Sequence, residues 1–541
     1  MKRSLVVWMV VLLGGSVPVG ALAGPKPPKG LAWAMEAMDT PANPAPQDAA
    51  VVLLDEVVVT PLNKSGKVRK RRRNLLRVLS SEGLASQFQP IYYSGGGKLD
   101  WYRAWTIRPD GSFQEVDKKR VVDQGLSTYK DFSDSRRVIL PMPNVGVGSL
   151  VALEYSIHQP TPYPQQIFTL QWIYPVARAR VILELPDGWD YQATFRNIAP
   201  HEPRKEGSRL IWEFEDLPGL PGTRHAASRT DASASLALTY FPRSEAQPFK
   251  GWPDVASWAD EQIAPQAKAD EALRATVSQL SSSAKRDDTL RAVGSYVQEL
   301  RYITVTLGRS GYIPYSAAEV FKKRYGDCKD KATLMMTMLR EAGIESHPIL
   351  VNTRDNGQVY SPFPSPGQFN HVILGIPLPA DSEFLATVTH PELGALLMFD
   401  PTDEQTPLGD LPWTDQGTKG LLVHPELGSL LELPVLAARS NLAEREWTLV
   451  MAASGAAVVK MEGTFTGQYA RLIRGWLGGR NEVQRNQAVA AALASRVPGA
   501  RLNQASVRGL STPETPVQLS VEMDIPRFSR LAGPLRRAAP V

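Results

Sequence analysis

Apolar and polar positions change rhythm three times along the chain. From residue 51 to about 241 short apolar runs at 51–59, 101–107, 150–157, 167–174, 180–185 and 210–214 are separated by turn residues such as Pro109-Asp110-Gly111 and Pro186-Asp187-Gly188. Runs of this length bounded by Pro, Gly and Asp read as strands, and their number predicts an antiparallel β-sandwich-like domain. At Trp252-Pro253-Asp254 the texture becomes helical, with Trp258, Ile263, Leu273, Val277 and Leu280 at helical intervals, then residues 290–300. A strand-like stretch at 301–307, a turn at 308–311 and a segment at 316–325 lead into Leu334, Met335, Met338 and Leu339, again at helical spacing and ending at Gly343, a residue suited to a left-handed cap. Strands follow at 347–351, 370–376 and 396–399, so this middle region is α+β. Strands at 447–451, 457–465 and 517–523 around a helix at 481–494 predict a C-terminal β-rich domain, incomplete or with an edge that another copy completes.

The 541 residues exceed what one hydrophobic core organises. The expected division is a signal peptide at 1–23, a Pro/Ala-rich linker at 24–50, a β-rich domain at 51–250, an α+β core at 251–435 and the C-terminal domain at 436–541. Lys2 and Arg3 before an apolar run at 5–13, with Ala21-Leu22-Ala23 after it, carry the pattern of a cleavable secretory signal. The run is shorter than the ~20 residues a membrane-spanning helix needs, and no later stretch is long and apolar enough. Export to a bacterial periplasm is expected, with secretion or peripheral attachment to the envelope as alternatives. A net charge of +5 says little about partners, and an exported protein is not expected to meet nucleic acid. Residues 64–77 concentrate basic residues, among them Lys67, Arg69, Lys70, Arg71, Arg72 and Arg73, readable as a solvated hairpin or as a contact with an anionic surface.

The chain has one cysteine, Cys328, in Tyr325-Gly326-Asp327-Cys328-Lys329-Asp330-Lys331-Ala332. It cannot form an internal disulfide. Its place at a helix start, where backbone N–H groups and the helix dipole favour a thiolate, suits a nucleophile. Asp327 and Asp330 oppose that unless Lys329 and Lys331 offset them, so a small buried hydrophobe remains the alternative.

The middle region resembles the transglutaminase-like branch of papain-type folds. Gly326-Asp327-Cys328 with Lys329 to Ala332 is similar to that superfamily's cysteine motif, Asn370-His371-Val372 to its histidine motif, and Phe399-Asp400-Pro401-Thr402 to its aspartate motif. More narrowly, the chain resembles a bacterial exported group in which a β-rich domain of unknown function (3857) precedes the transglutaminase-like core. The resemblance implies a Cys328-His371-Asp400 triad working through a thioester, without metal or cofactor, on a protein or peptide of the envelope or cell wall. The Cys328 N–H would be one oxyanion donor. Tyr302 and Tyr312 lie where a hydroxyl could serve as the second, though each also reads as an ordinary aromatic. His347, Asp403 and Glu404 have no assigned role.

Hydrolysis and transfer to an amine remain open, because water exclusion decides between them. So does a non-catalytic reading, in which the cleft binds a peptide or glycan, or the chain is an assembly scaffold. Self-association through the C-terminal β-domain is also expected.

Overall fold

The computed structural model describes residues 28–541 apart from 64–66, 94–95, 128–130, 221, 223–227, 283–284, 306–310, 381, 533–534 and 539–541. The signal-peptide reading at 1–23, Lys64 of the basic run and most of the turn at 308–311 therefore lie outside the described residues. The protein is multidomain: β-rich sheets, then an α+β region, then a β-rich C-terminal part.

The first part centres on an eight-stranded sheet in the order Arg204–Glu206, Arg209–Leu217, Val176–Glu184, Ala50–Pro61, Lys67–Val78, Leu150–Pro160, Lys98–Ile107, Phe113–Glu115. Ala50–Pro61 is almost continuously apolar because both of its faces are covered. On one side Val52, Leu76, Leu153, Val181 and Trp212 pack with residues of the smaller sheets, among them Ile91, Leu140 and Leu236. On the other, Leu53, Leu75, Trp105 and Ile107 meet Leu31, Trp33, Ala34 and Ala37. The sheet departs from the antiparallel expectation at one pair: Ala50–Pro61 and Val176–Glu184 run parallel. The strand expected at 167–174 ends at Thr169.

Two further readings are corrected here. The segment read as a free Pro/Ala-rich linker folds from Lys29 into a short helix, Ala32–Ala37, and closes the sheet's second face. The basic run is a hairpin arm that is solvated only in part: Lys67 and Arg69 are exposed, while Arg71, Arg72 and Arg73 are paired with carboxylates of neighbouring strands. Strand pairing sets Asp55 opposite Asn74, Glu56 opposite Arg73, and Arg73 opposite Glu154. Arg72 grips Asp55 through two hydrogen bonds of 2.8 and 2.6 Å, and Arg73 reaches Glu154 at 2.8 Å. Burial pushes Lys70 down to about 8.

The middle region stacks helices Trp252–Ile263, Glu271–Leu280, Arg286–Gln298 and Ala317–Lys323 around the helix Cys328–Glu341, which lies on a six-stranded sheet. That sheet runs Thr387–His390, Gly394–Phe399, His371–Pro377, His347–Val351, Lys419–Leu422, Leu430–Glu432. Leu334, Met335, Met338 and Leu339 are fully buried against Ile349, Val351, Ile373 and Leu374. The helix ends as its glycine predicts. Gly343 takes φ +75°, its N–H bonds Arg340 O, and Ile344 N–H reaches back to Leu339 O at 2.8 Å.

The C-terminal sheet, Ala443–Met451, Ala457–Phe465, Val517–Ile525, Arg501–Arg508, is covered on one face by helices Gly467–Leu477 and Glu482–Arg496. The first of these helices and the strand Arg501–Arg508 were not anticipated. Trp447, Leu449, Val450 and Met451 on its outer strand are exposed. That open edge is the surface to which the expected self-association refers.

Candidate active site

The local fold of the cysteine segment begins with its acids. Asp327 is the helix N-cap: its side chain accepts from Asp330 N–H at 3.3 Å, while Asp330 accepts from Asp327 N–H at 3.2 Å and from Tyr315 N–H at 2.9 Å. This box draws Asp330 over Gly326, where a Cβ would stand 2.6 Å from the Asp330 Cβ. Only glycine leaves that room. Lys329, nearly buried, pairs with Asp327 and stands 3.9 Å from Asp330. The charges flanking Cys328 are therefore consumed in the cap. Burial and the neighbouring Asp327 push Asp330 up to about 6.

Lys331 points into the protein, fully buried, and donates to Gln298 O at 3.1 Å and Leu300 O at 3.0 Å. Burial pushes it down to about 8. Those carbonyls precede the short strand Arg301–Tyr302, which pairs in parallel with Tyr325–Gly326, Tyr302 opposite Gly326. The pairing delivers the Tyr302 hydroxyl to the Cys328 thiol, with the Thr304 side chain also in reach. Although the residue is 36% exposed, desolvation of its hydroxyl, then the neighbouring Cys328 and Asp327, raise this phenol above its ordinary range, so it stays a proton donor.

His371 opens its strand opposite Val351. The next strand pairs Leu374 with Phe399. Continuing that register by one residue sets Asp400 across from Ile373, on the face that His371 shares by two-residue periodicity. His371 Nε2 and Asp400 Oδ2 are 3.1 Å apart, both side chains nearly buried. The Cys328 thiol lies close enough to the ring to bond it. Burial disfavours a charged imidazole, but Asp400 and Cys328 outweigh it and raise His371 well above its ordinary value. Asp400 is lowered: burial works against the carboxylate, His371 and the Thr402 N–H and hydroxyl work for it, the latter two at 2.8 and 2.7 Å.

The three residues singled out in the sequence thus meet. Several of the others do not join them. Tyr312 turns instead to Tyr163 of the first domain, hydroxyl to hydroxyl at 2.9 Å. His347 sits at the far end of its strand against His424. Asp403 pairs with Arg471 of the C-terminal part. Two contributors escaped sequence reasoning. Gln298 ties down the loop after Asp400, donating to Asp403 O at 2.8 Å and Thr406 O at 3.0 Å. Asp415, 1% exposed, comes back along that loop until its carboxylate lies within 4.8 Å of the ligating atoms of His371 and Asp400. Burial, then Asp400, push it up to about 7. Asp-Gln-Gly after a tryptophan carried no signal beyond that of a turn.

Residues 64–221 match a domain of unknown function with solved structure (DUF3857), and residues 273–381 match the transglutaminase-like superfamily. No curated protein matches the chain significantly. Among solved structures, the chain is similar to one from Parabacteroides distasonis described as a "putative protease", at 14% identity and a TM-score of 0.56, over 88% of this chain and 93% of that one. An M1 zinc metallopeptidase of Deinococcus radiodurans and leukotriene A4 hydrolase of Saccharomyces cerevisiae match at 10% identity with TM-scores of 0.21 and 0.22, over 36% and 37% of this chain and 42% and 30% of theirs. Scores that low carry no argument. The first likeness concerns the fold alone.

Proposed function

Because the chain joins a DUF3857 domain to a transglutaminase-like region, we propose that it is an exported thiol-dependent acyl-transfer enzyme acting on amide bonds of envelope proteins or cell-wall peptides. The observation that carries this reading is the His371 imidazole held between Asp400 at 3.1 Å and the Cys328 thiol. With Nε2 turned to Asp400, Nδ1 is left for the thiol. His371 takes the Cys328 proton as sulfur bonds to the substrate carbonyl carbon. The resulting oxyanion accepts from the Cys328 backbone N–H and the Tyr302 hydroxyl. Collapse breaks the C–N bond, the amine leaves with the proton from His371, and a thioester remains. Water or a second amine then gives up a proton to His371, attacks the thioester, and restores the thiol. Asp400 keeps the ring oriented throughout without being protonated. The description of the similar Parabacteroides chain makes a peptide bond the first candidate.

The test is alkylation of Cys328 across pH in wild type and His371→Ala, followed by amide and peptide libraries with Cys328→Ser as the control. Fast alkylation near and below neutral pH that His371→Ala abolishes supports the reading, as does turnover that Cys328→Ser abolishes. Slow alkylation indifferent to His371, and ligand binding that Cys328→Ser leaves intact, would move the assignment to a non-catalytic peptide-binding cleft.

A further inference from the structure

The acyl-transfer chemistry uses one carboxylate beside His371, and the fold supplies two. Asp415 is 1% exposed, and neither of its oxygens has a hydrogen-bond partner of ordinary geometry. The Thr414 hydroxyl is the one side-chain donor drawn towards it. Buried carboxylates are otherwise satisfied by hydrogen bonds or by cations. His371, when protonated, is the cation that acts on Asp415, and it is already paired with Asp400. Lys331 is spent on two carbonyls, Arg471 on Asp403, and Lys329 on the helix cap. What Asp415 does face is a nitrogen and an oxygen: one ligating atom each from His371, Asp400 and Asp415, all within 4.8 Å of one another.

We propose that His371, Asp400 and Asp415 form a binding site for a divalent transition cation of the zinc or cobalt kind. One imidazole nitrogen with two carboxylates is a donor set for such ions, and less suited to magnesium, which prefers oxygen and retained water. Two ligands of a tetrahedral ion with bonds of about 2.0–2.2 Å stand about 3.4 Å apart, so loading requires the side chains to close inward by rotating about their Cα–Cβ bonds. Binding exchanges bonds simply. The single proton of the neutral His371 ring moves from Nε2 to Nδ1 by exchange with solvent, Nε2 bonds the cation in its place, and both carboxylates turn their oxygens to it.

The consequence for turnover rests on the acyl-transfer reading, whereas the binding itself does not. With Nε2 on the metal, the ring's one proton sits on Nδ1, facing Cys328, and the ring cannot accept the thiol proton. The cation would be a reversible off-switch reached through the buried end of the triad, without coordinating the cysteine.

Calorimetric titration of the mature protein with zinc, and optical titration with cobalt, test this in the Cys328→Ser background. One equivalent should bind there, and Asp415→Asn should weaken it by more than about tenfold, the loss seen even for residues that only support a metal ligand. Unfolding curves establish that Asp415→Asn is folded; if it is not, Asp415→Ser replaces it. Binding that needs Cys328, marked by sulfur-to-cobalt charge transfer, or binding unchanged without the Asp415 carboxylate, overturns the proposal. Because no turnover is read, an inert triad would leave this result standing.

Discussion

The hydroxyls of Tyr163 and Tyr312 meet at 2.9 Å, one from the β-rich first part of the chain and one from the loop ahead of helix Ala317–Lys323. Around them Phe249 and Trp258 pack edge-on to the Tyr163 ring, at centroid distances of 6.2 and 6.0 Å. Gln165 adds a hydrogen bond to Pro364 O at 3.0 Å, and the Tyr360 hydroxyl one to Phe195 O at 2.7 Å. The first domain is therefore a wall of the same body that holds the triad. Tyr163→Phe keeps the ring contacts and leaves the buried Tyr312 hydroxyl without this partner. It should cost about 1 kcal/mol, read as a lower denaturant midpoint with an unchanged slope.

Tyr302→Phe removes the hydroxyl beside Cys328 while leaving the strand pairing of Tyr302 with Gly326 intact. If the hydroxyl is an oxyanion donor, kcat should fall by about 10²-fold or more with KM little changed. Unchanged kcat would remove Tyr302 from the reaction.

Asp327→Ala deletes the cap of the cysteine helix and strands Lys329 in a buried position. Cap loss costs about 1 kcal/mol and an unpaired buried charge about 3–5 kcal/mol. The sum should come near the upper figure, because Lys329 can partly shift to Asp330. Asp327→Asn, which keeps an acceptor, should lose less. Equal losses in the two variants would mean that the charge contributes nothing.

Lys331 gives a pH signature. Its folded value of about 8 lies below the ordinary 10.5, because burial penalises the ammonium. Between those values the unfolded chain holds a proton that the folded chain has lost, so this group makes stability rise with pH across that window. Lys331→Met has no such term and also leaves Gln298 O and Leu300 O unsatisfied. Wild type should be more stable at pH 7, and its lead in melting temperature should widen from about pH 8 towards 10.5. A constant gap would mean that Lys331 titrates normally.

Much of the architecture could be read from the chain because local rules acted locally. Gly343 ends its helix where the apolar spacing stops, and strand runs flanked by Pro-Asp-Gly turns became strands. Cys328, His371 and Asp400 stood out because their three short motifs occur in order, and the sheet register brings the last two together. Tyr302 was seen but undervalued, since its meeting with Cys328 depends on a two-residue parallel pairing that no periodicity announces. Asp415 was invisible: its position follows from a loop pinned by Gln298 and Arg471, residues more than fifty positions away. The arginines at 71–73 looked solvent-bound because their partners, Asp55, Glu56 and Glu154, belong to other strands.

Trp33 decides where recombinant production of this protein can begin. With Leu31, Ala34 and Ala37 it seals Leu53, Leu75 and Trp105, and Arg73 lies over its ring. A gene started at residue 51, the first obvious strand, would bare that apolar face and invite aggregation in the expression host. An affinity tag belongs ahead of Lys29, where the described fold starts, with the nine residues from Lys29 to Ala37 retained.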